Sequence, residues 1–391
     1  MVMKRARRSI AVTLGLVISM LGILSGCVPA PAGTAATTAA LASPDQASTQ
    51  LPSPTAVSIP SITPSMVPTP EAAVADLQLL SELEVGSANT ASGRQKLVSD
   101  IAWAPDSAKL AVATFADTIG QIELLDPMSL QHLWTVETML TFDIEFSPDG
   151  STLAANFPTP GVILTWDVAS GDPLLEARSN QCLVGRYLEF QTGGDRIVTG
   201  YDSGKEAYET TIDSWDLQSG QCQGELLHAD GLLVSLSVDP TGRYLILTLL
   251  KVQEEPSKRV SVWSLETLEP ICSVPGTIGA LAHSGSALAV VDPEGQRIKV
   301  WSVPDCQLLW AIDVDFDVFS LALSPDSGFL AAGGGRMEVW DLSSSSKVAD
   351  IEEVPSPVTV LAFSPDGRNL ISTGSANPGE RTRILLWGLG P

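Results

Sequence analysis

Histidine is nearly missing from this chain. Its 391 residues hold three, His132, His228 and His283, with no HxH or HExxH spacing, which leaves no histidine metal site. No Ser/His/Asp set and no G-x-S-x-G elbow can be assembled, and no glycine-rich phosphate loop follows a strand to open a helix. The reading is therefore no catalytic, cofactor-binding or metal-binding residue, and not an enzyme. Basic residues are also scarce, 22 Lys and Arg against 45 Asp and Glu, a formal net charge of −23. So acidic a surface repels phosphate backbones, so nucleic acid is excluded as a partner. Long apolar runs are absent beyond the first residues. The hydrophobic content of 44% is spread over short runs such as Val260-Ser261-Val262-Trp263, which suit strands rather than helical stripes.

What is present is a repeat. A Pro-Asp-Gly-like turn follows one short strand, and about twenty residues later another strand ends in Trp-Asp or a variant. The turns are Ala104-Pro105-Asp106-Ser107, Ser147-Pro148-Asp149-Gly150, Ser324-Pro325-Asp326-Ser327 and Ser364-Pro365-Asp366-Gly367. Weaker copies are Gln191-Thr192-Gly193-Gly194, Asp239-Pro240-Thr241-Gly242 and His283-Ser284-Gly285-Ser286. The strand ends are Leu125-Asp126, Trp166-Asp167, Trp215-Asp216, Trp263-Ser264, Trp301-Ser302, Trp340-Asp341 and Trp387-Gly388. Their mean spacing is about 44 residues, which predicts an all-β fold, a seven-bladed propeller of four-stranded antiparallel blades over residues 77–391. The chemistry of each position supports this. Pro pre-sets φ for a tight turn, Gly takes the left-handed conformation that closes it, and Trp packs between neighbouring blades. Asp after the Trp fixes the next turn.

The copy spanning Phe142–Leu174 resembles the WD-repeat β-propeller family, as do Val318–Leu342 and Leu361–Trp387. The Gly-His dipeptide that opens copies in that family is missing, His228 being its nearest relic. The last copy ends at Trp387 with no room for an outermost strand, while Leu77 to Val85 forms a spare one. The resemblance implies that this N-terminal strand completes the last blade.

The N-terminus carries a second signal. A basic stretch, Lys4-Arg5-Ala6-Arg7-Arg8, precedes an apolar stretch from Ile10 to Leu24 that is short for a membrane span. Leu24-Ser25-Gly26-Cys27 resembles the lipobox of bacterial lipoproteins. That resemblance implies a signal peptide over residues 1–26, lipidation of Cys27, and a cell-membrane anchor on the extracytoplasmic side. Residues 27–72 turn rich in Pro, Thr, Ala and Ser, a composition expected to form a disordered tether.

Four further cysteines, Cys182, Cys222, Cys272 and Cys306, open the question of disulfides outside the cytoplasm. Three of them follow their blade's Trp at the start of an outer strand, where equivalent positions on neighbouring blades are too far apart to bridge. Four packed thiols are the expectation, with Cys182–Cys222 the one candidate bridge. The alternating Asp313-Val314-Asp315-Phe316-Asp317 resembles half a calcium loop, but Val318 and Ser324 stand where Gly and an acid are required. It reads as a strand with Val314, Phe316 and Val318 on one face.

The functional reading is a membrane-tethered, monomeric, non-catalytic propeller that presents a face to a protein or peptide partner. The candidate contact residues are Tyr201, Tyr208, Lys251 and Lys258, in the long second-to-third-strand loops of adjacent blades 3 and 4. The alternatives are a carbohydrate- or small-ligand-binding lipoprotein using the central opening, and an extracytoplasmic enzyme of lactonase or quinoprotein type. The last requires converging carboxylates at the channel mouth.

Overall fold

The computed structural model describes residues 77–85, 96–157, 161–179, 181–202, 209–239, 241–251, 257–282, 284–374 and 381–389. Among them are seven four-stranded antiparallel sheets and no helix. Blades 1 to 6 each use four consecutive strands. Blade 7 has three, Val358–Phe363, Asn369–Gly374 and Arg383–Leu389, and takes its outermost from Leu77–Glu84. That strand runs antiparallel to Arg383–Leu389, from Leu77 opposite Leu389 to Glu84 opposite Arg383. Rim pairs Glu84–Arg381 and Glu82–Arg383 lie at 2.7 and 3.2 Å, exposed enough to contribute little. The closure rests on the backbone ladder.

The turn motif builds each blade's first hairpin. In blade 2 the Gly150 N–H donates to the Ser147 carbonyl at 2.8 Å, and the Ser147 hydroxyl donates to the Asp149 carboxylate at 2.6 Å. Gly150 sits at φ +72°, a left-handed conformation that glycine adopts without penalty. Ser107 and Ser327 take the same conformation at the equivalent position, at φ 60° and 61°. In blade 5 the Gly285 N–H reaches the Ala282 carbonyl at 2.8 Å. The turn there begins at Ala282, one residue earlier than the sequence suggests. A serine-rich stretch with a single glycine leaves its register open by one, and hydrogen bonding sets it.

The Trp-Asp ends cap the next turn. The Asp126, Asp167 and Asp216 carboxylates each accept the N–H of a serine three residues on, at 2.8 Å. Those backbone bonds hold the three carboxyls below their ordinary range. Between blades the core mixes aromatic and aliphatic side chains: Phe146, Phe157 and Trp166 of blade 2 meet Ile122 and Leu124 of blade 1.

Two cysteine pairs are bridged, Cys182–Cys222 and Cys272–Cys306, with Cα separations of 6.0 and 5.7 Å. The expectation of four packed thiols is corrected. It treated Cys272 and Cys306 as equivalent positions, but Cys272 lies within blade 4's outermost strand, Pro270–Pro275, while Cys306 lies in blade 5's turn before Leu308–Asp313. A turn of one blade can reach its neighbour's outer strand where two equivalent strand positions cannot. Cys182 reaches Cys222 from the connection between blades 2 and 3. The acidic stretch is corrected as well: the strand ends at Asp313, and Asp315 and Asp317 belong to the link into blade 6. Val314 and Val318 are buried there, as the alternation requires. Asp313 pairs with Arg297, and Asp315 with Arg336.

Candidate functional site

The innermost strands carry a column of residues two positions before each turn. It reads Ala102, Glu145, Glu189, Ser237, Ala280, Ala322 and Ala362 around the ring. Small side chains fill five places, and adjacent blades 2 and 3 place a glutamate. Both glutamates line a pair of overlapping cavities of about 190 and 270 Å³ at the channel end bearing the first-to-second-strand turns. Trp103, Pro105, Pro148 and Pro365 are among the lining residues, as are Phe146, Phe190 and Phe363, whose side chains are buried in the core. None of the lining residues is basic.

A second tier of acids lies two residues further back. The Asp100 carboxylate accepts the Ile144 N–H of blade 2 at 2.9 Å. The Asp143 carboxylate accepts the Leu188 N–H of blade 3 at 2.7 Å. Asp202, at the far end of blade 3's second strand, accepts the Leu233 N–H of blade 4 at 2.7 Å. The pattern has a plain cause. An innermost strand has an unpaired edge, and each acid satisfies an amide on the next blade. These carboxylates staple neighbouring blades together.

Enclosure shapes their protonation. Asp100, Asp143, Glu145 and Glu189 are each half-buried, and the two glutamates line the channel cavities. Desolvation pushes Glu145 up to about 8, assisted by the charge of Asp100. Desolvation also drives Asp143 and Glu189 well above the usual carboxylate range and raises Asp100. Glu189 is opposed by hydrogen bonds from the Val238 backbone and the Ser237 hydroxyl. Glu145 has no hydrogen-bond donor among the described residues. The nearby cation, Arg186, stacks over the Phe142 ring at 5.0 Å.

The sequence-derived contact residues lie at the opposite end of the ring. Tyr201 is half-buried near the end of blade 3's second strand, opposite Thr211, and burial raises its phenol. Lys251 follows blade 4's second strand, and Lys258 opens the third, opposite Leu250. Strand direction therefore sets Tyr201, Lys251 and Lys258 on one face of adjacent blades. Tyr208 and most of the two long loops lie outside the described residues, as do Cys27 and the rest of residues 1–76. Sequence reasoning missed the channel acids. The signal was there, in Ile144-Glu145-Phe146 and Leu188-Glu189-Phe190, a charge between apolar neighbours where other copies carry alanine or serine.

No family model matches the chain. A 172-residue stretch is 25% identical to Target of rapamycin complex subunit wat1 of Schizosaccharomyces pombe, covering 42% of this chain and 53% of that protein. Another, of 236 residues, is 24% identical to Autophagy-related protein 16 of Arabidopsis thaliana, covering 54% and 41%. A third, of 251 residues, is 21% identical to Apoptotic protease-activating factor 1 of Rattus norvegicus, covering 59% and 18%. The distant relatives include WD-repeat proteins. The chain spans about half the length, or less, of the curated relatives it matches.

Proposed function

We propose that this chain is a membrane-tethered, extracytoplasmic WD-repeat-like propeller that holds a protein partner and performs no chemistry of its own. The observation that carries the compartment is the cysteine pairing. All four cysteines beyond Cys27 are bridged, a use of cysteine that belongs to oxidising surroundings. With the basic, apolar and Leu24-Ser25-Gly26-Cys27 sequence ahead of the domain, it supports export followed by lipid anchoring at Cys27. Two acyl chains would make that anchor stable where one is marginal.

The scaffold reading is supported by the relatives and by the engagement of the channel acids. Asp100, Asp143 and Glu189 hold backbone amides of the next blade, which suits a structural role. Tyr201, Lys251 and Lys258 remain the proposed contact patch, basic charge and an aromatic on an acidic protein. Cross-linked capture from native membranes tests this. A triple Tyr201→Ala, Lys251→Ala, Lys258→Ala chain that folds and recovers the same partner in the same amount would remove the patch. For the anchor, Cys27→Ala is expected to abolish incorporation of labelled palmitate. A second reading, a small-ligand-binding lipoprotein, draws support from the channel cavity.

A further inference from the structure

The two ends of the ring differ in apolar surface. Twelve large apolar side chains are exposed among the described residues. Four of them, Ile119, Met139, Leu183 and Phe319, lie at the end that carries Tyr201. The other eight lie toward the opposite end, in a third-to-fourth-strand turn or within the first four residues of an outermost strand. They gather where blades meet. The Ser81 hydroxyl donates to the Met128 carbonyl at 3.0 Å, which joins the borrowed strand carrying Leu80 to blade 1's turn. Trp134, next to Leu133, donates its indole N–H to the Val168 carbonyl of blade 2 at 2.9 Å, and Leu174 begins that blade's outer strand two residues from Asp172. The Cys272–Cys306 bridge joins the segments carrying Ile271 and Leu308. Met128, Leu133 and Leu174 are 56, 52 and 56% exposed. Scattered apolar residues are ordinary on a surface, whereas a concentration at one end marks a contact.

The same end is where the chain joins the ring. Leu77 pairs with Leu389, the last residue of blade 7's third strand, so the residues leading from Cys27 arrive there. Roughly 50 residues separate Cys27 from Leu77, an end-to-end distance of about 40 Å for a random chain. A domain held that close to a bilayer meets it at high effective concentration, so contacts too weak to act from solution become occupied. We propose that this end rests on the membrane, its rim leucines and Met128 dipping among the headgroups of a zwitterionic phospholipid surface. The inference rests on the lipid anchor at Cys27 and gives the anchored ring an orientation, with Tyr201, Lys251 and Lys258 turned to solution. The lipid class follows from charge. This end also carries the turn carboxylates Asp106, Asp126, Asp149 and Asp167. An anionic leaflet repels them, whereas ethanolamine or choline heads offer positive charge.

Met128 and Met139 permit a test without substitution, because both are exposed and stand at opposite ends of blade 1. The acylated full chain is inserted into preformed vesicles of phosphatidylethanolamine and phosphatidylcholine, and flotation checks that it is anchored. Chloramine-T, a charged oxidant, is then added, and sulfoxide at each methionine is followed by mass spectrometry. The ratio of Met128 to Met139 oxidation rates is expected to be about fivefold lower on these vesicles than on vesicles with half of the lipid replaced by anionic phosphatidylglycerol, the protection that four-fifths occupancy gives. Leu133→Ser with Leu174→Ser should restore the higher ratio on the zwitterionic vesicles. A ratio equal on both vesicles, protection of Met139 instead of Met128, or protection that survives the two substitutions overturns the proposal. Protection that deepens with protein density at fixed lipid makes a second copy the occupant and overturns it too. Should the doubly substituted chain not fold, the parent ratios decide. A chain that does not float has lost the anchor, and this contact with it, whereas a floating chain with equal ratios loses the contact alone. None of these outcomes touches partner capture on the other face.

Discussion

Trp215 donates its indole N–H to the Thr199 hydroxyl at 3.0 Å, across the second and third strands of blade 3. Trp387 makes the same bond to Ser372 in blade 7, at 2.8 Å. In each case the acceptor stands two residues beyond the Trp's cross-strand partner. In blades 4 and 5 that place holds Leu247 and Val290, and the indole nitrogens of Trp263 and Trp301 are buried without a partner. A buried donor left unpaired costs about 1–3 kcal/mol.

Val290→Thr is close in shape and puts a hydroxyl where Trp301 lacks one. A buried Val→Thr change is ordinarily destabilising, because it hides a hydroxyl. Here the new bond offsets that cost. Val290→Thr is expected to be more stable than Val300→Thr, a buried site on the neighbouring strand, by about 1 kcal/mol or more. Urea midpoints of the two variants check this, and equal midpoints contradict it.

Stability should fall as the solution becomes alkaline. The ordinary value for Glu145 is 4.5 and the folded value is about 8, so the folded chain binds that proton more tightly than the unfolded one. The contribution is fully present below the lower value and lost as pH rises through the window to the upper one. Each such group costs up to about 1.4 kcal/mol per pH unit within its window. Asp100, Asp143 and Glu189 move in the same direction. The turn carboxylates Asp126, Asp167 and Asp216 are held low and act oppositely, losing their contribution only at strongly acid pH. Denaturation midpoints at pH 5, 7 and 9 are expected to decrease in that order, and Glu145→Gln should flatten the decline. A midpoint highest at pH 9 would contradict the protonation argument.

The bridges carry their own expectation. They close intervals of 40 and 34 residues, for which the unfolded-chain argument gives about 3–4 kcal/mol each. Unfolded without reductant, the domain should offer none of these four thiols to a maleimide. Cys272→Ser with Cys306→Ser should melt lower, and the parent with reductant lower still. Four reactive thiols before reduction would show that the pairs do not form.

The blades were legible because their causes are local. Pro105, Asp149 and Gly367 act within four residues, and Trp166 and Trp340 each follow such a turn by about twenty residues or fewer. The channel was not legible, because its geometry comes from closing the ring. Nothing local to Glu145 says that Glu189, 44 positions on, lies in the same cavity. Stacking the copies on their turns would have put both in one column with Ala102, Ala322 and Ala362. The Cys272–Cys306 bridge escaped for a related reason. Spacing from the Trp treats turn and strand positions as equivalent, whereas the link between neighbouring blades depends on their difference.

Ring closure provides the last prediction. Leu77–Glu84 pairs with Arg383–Leu389 along its whole length, broken by one irregularity between Leu79 and Ser81. It also covers the last blade: Leu80 lies against Gly388, and Leu77 packs on the cluster holding Trp387. Beyond it, the Val85 N–H donates to the Thr382 carbonyl at 2.8 Å, and the Thr382 hydroxyl reaches the Lys96 carbonyl of blade 1 at 3.1 Å. Blade 7 is thus joined to blade 1 at Thr382, and Leu83 of the borrowed strand and Val85 just after it pack in one cluster with Ile101 and Leu110 of blade 1. A chain beginning at residue 72 keeps these contacts, whereas one beginning at residue 86 exposes the backbone edge of Arg383–Leu389, a template for pairing with other molecules. The shorter chain is expected to melt at a lower temperature and to form soluble oligomers or aggregates, and a synthetic peptide of residues 77–85 added in trans should raise its melting temperature. Equal melting temperatures for the two chains, with the shorter one monomeric by light scattering, would show that the ring holds without its borrowed strand.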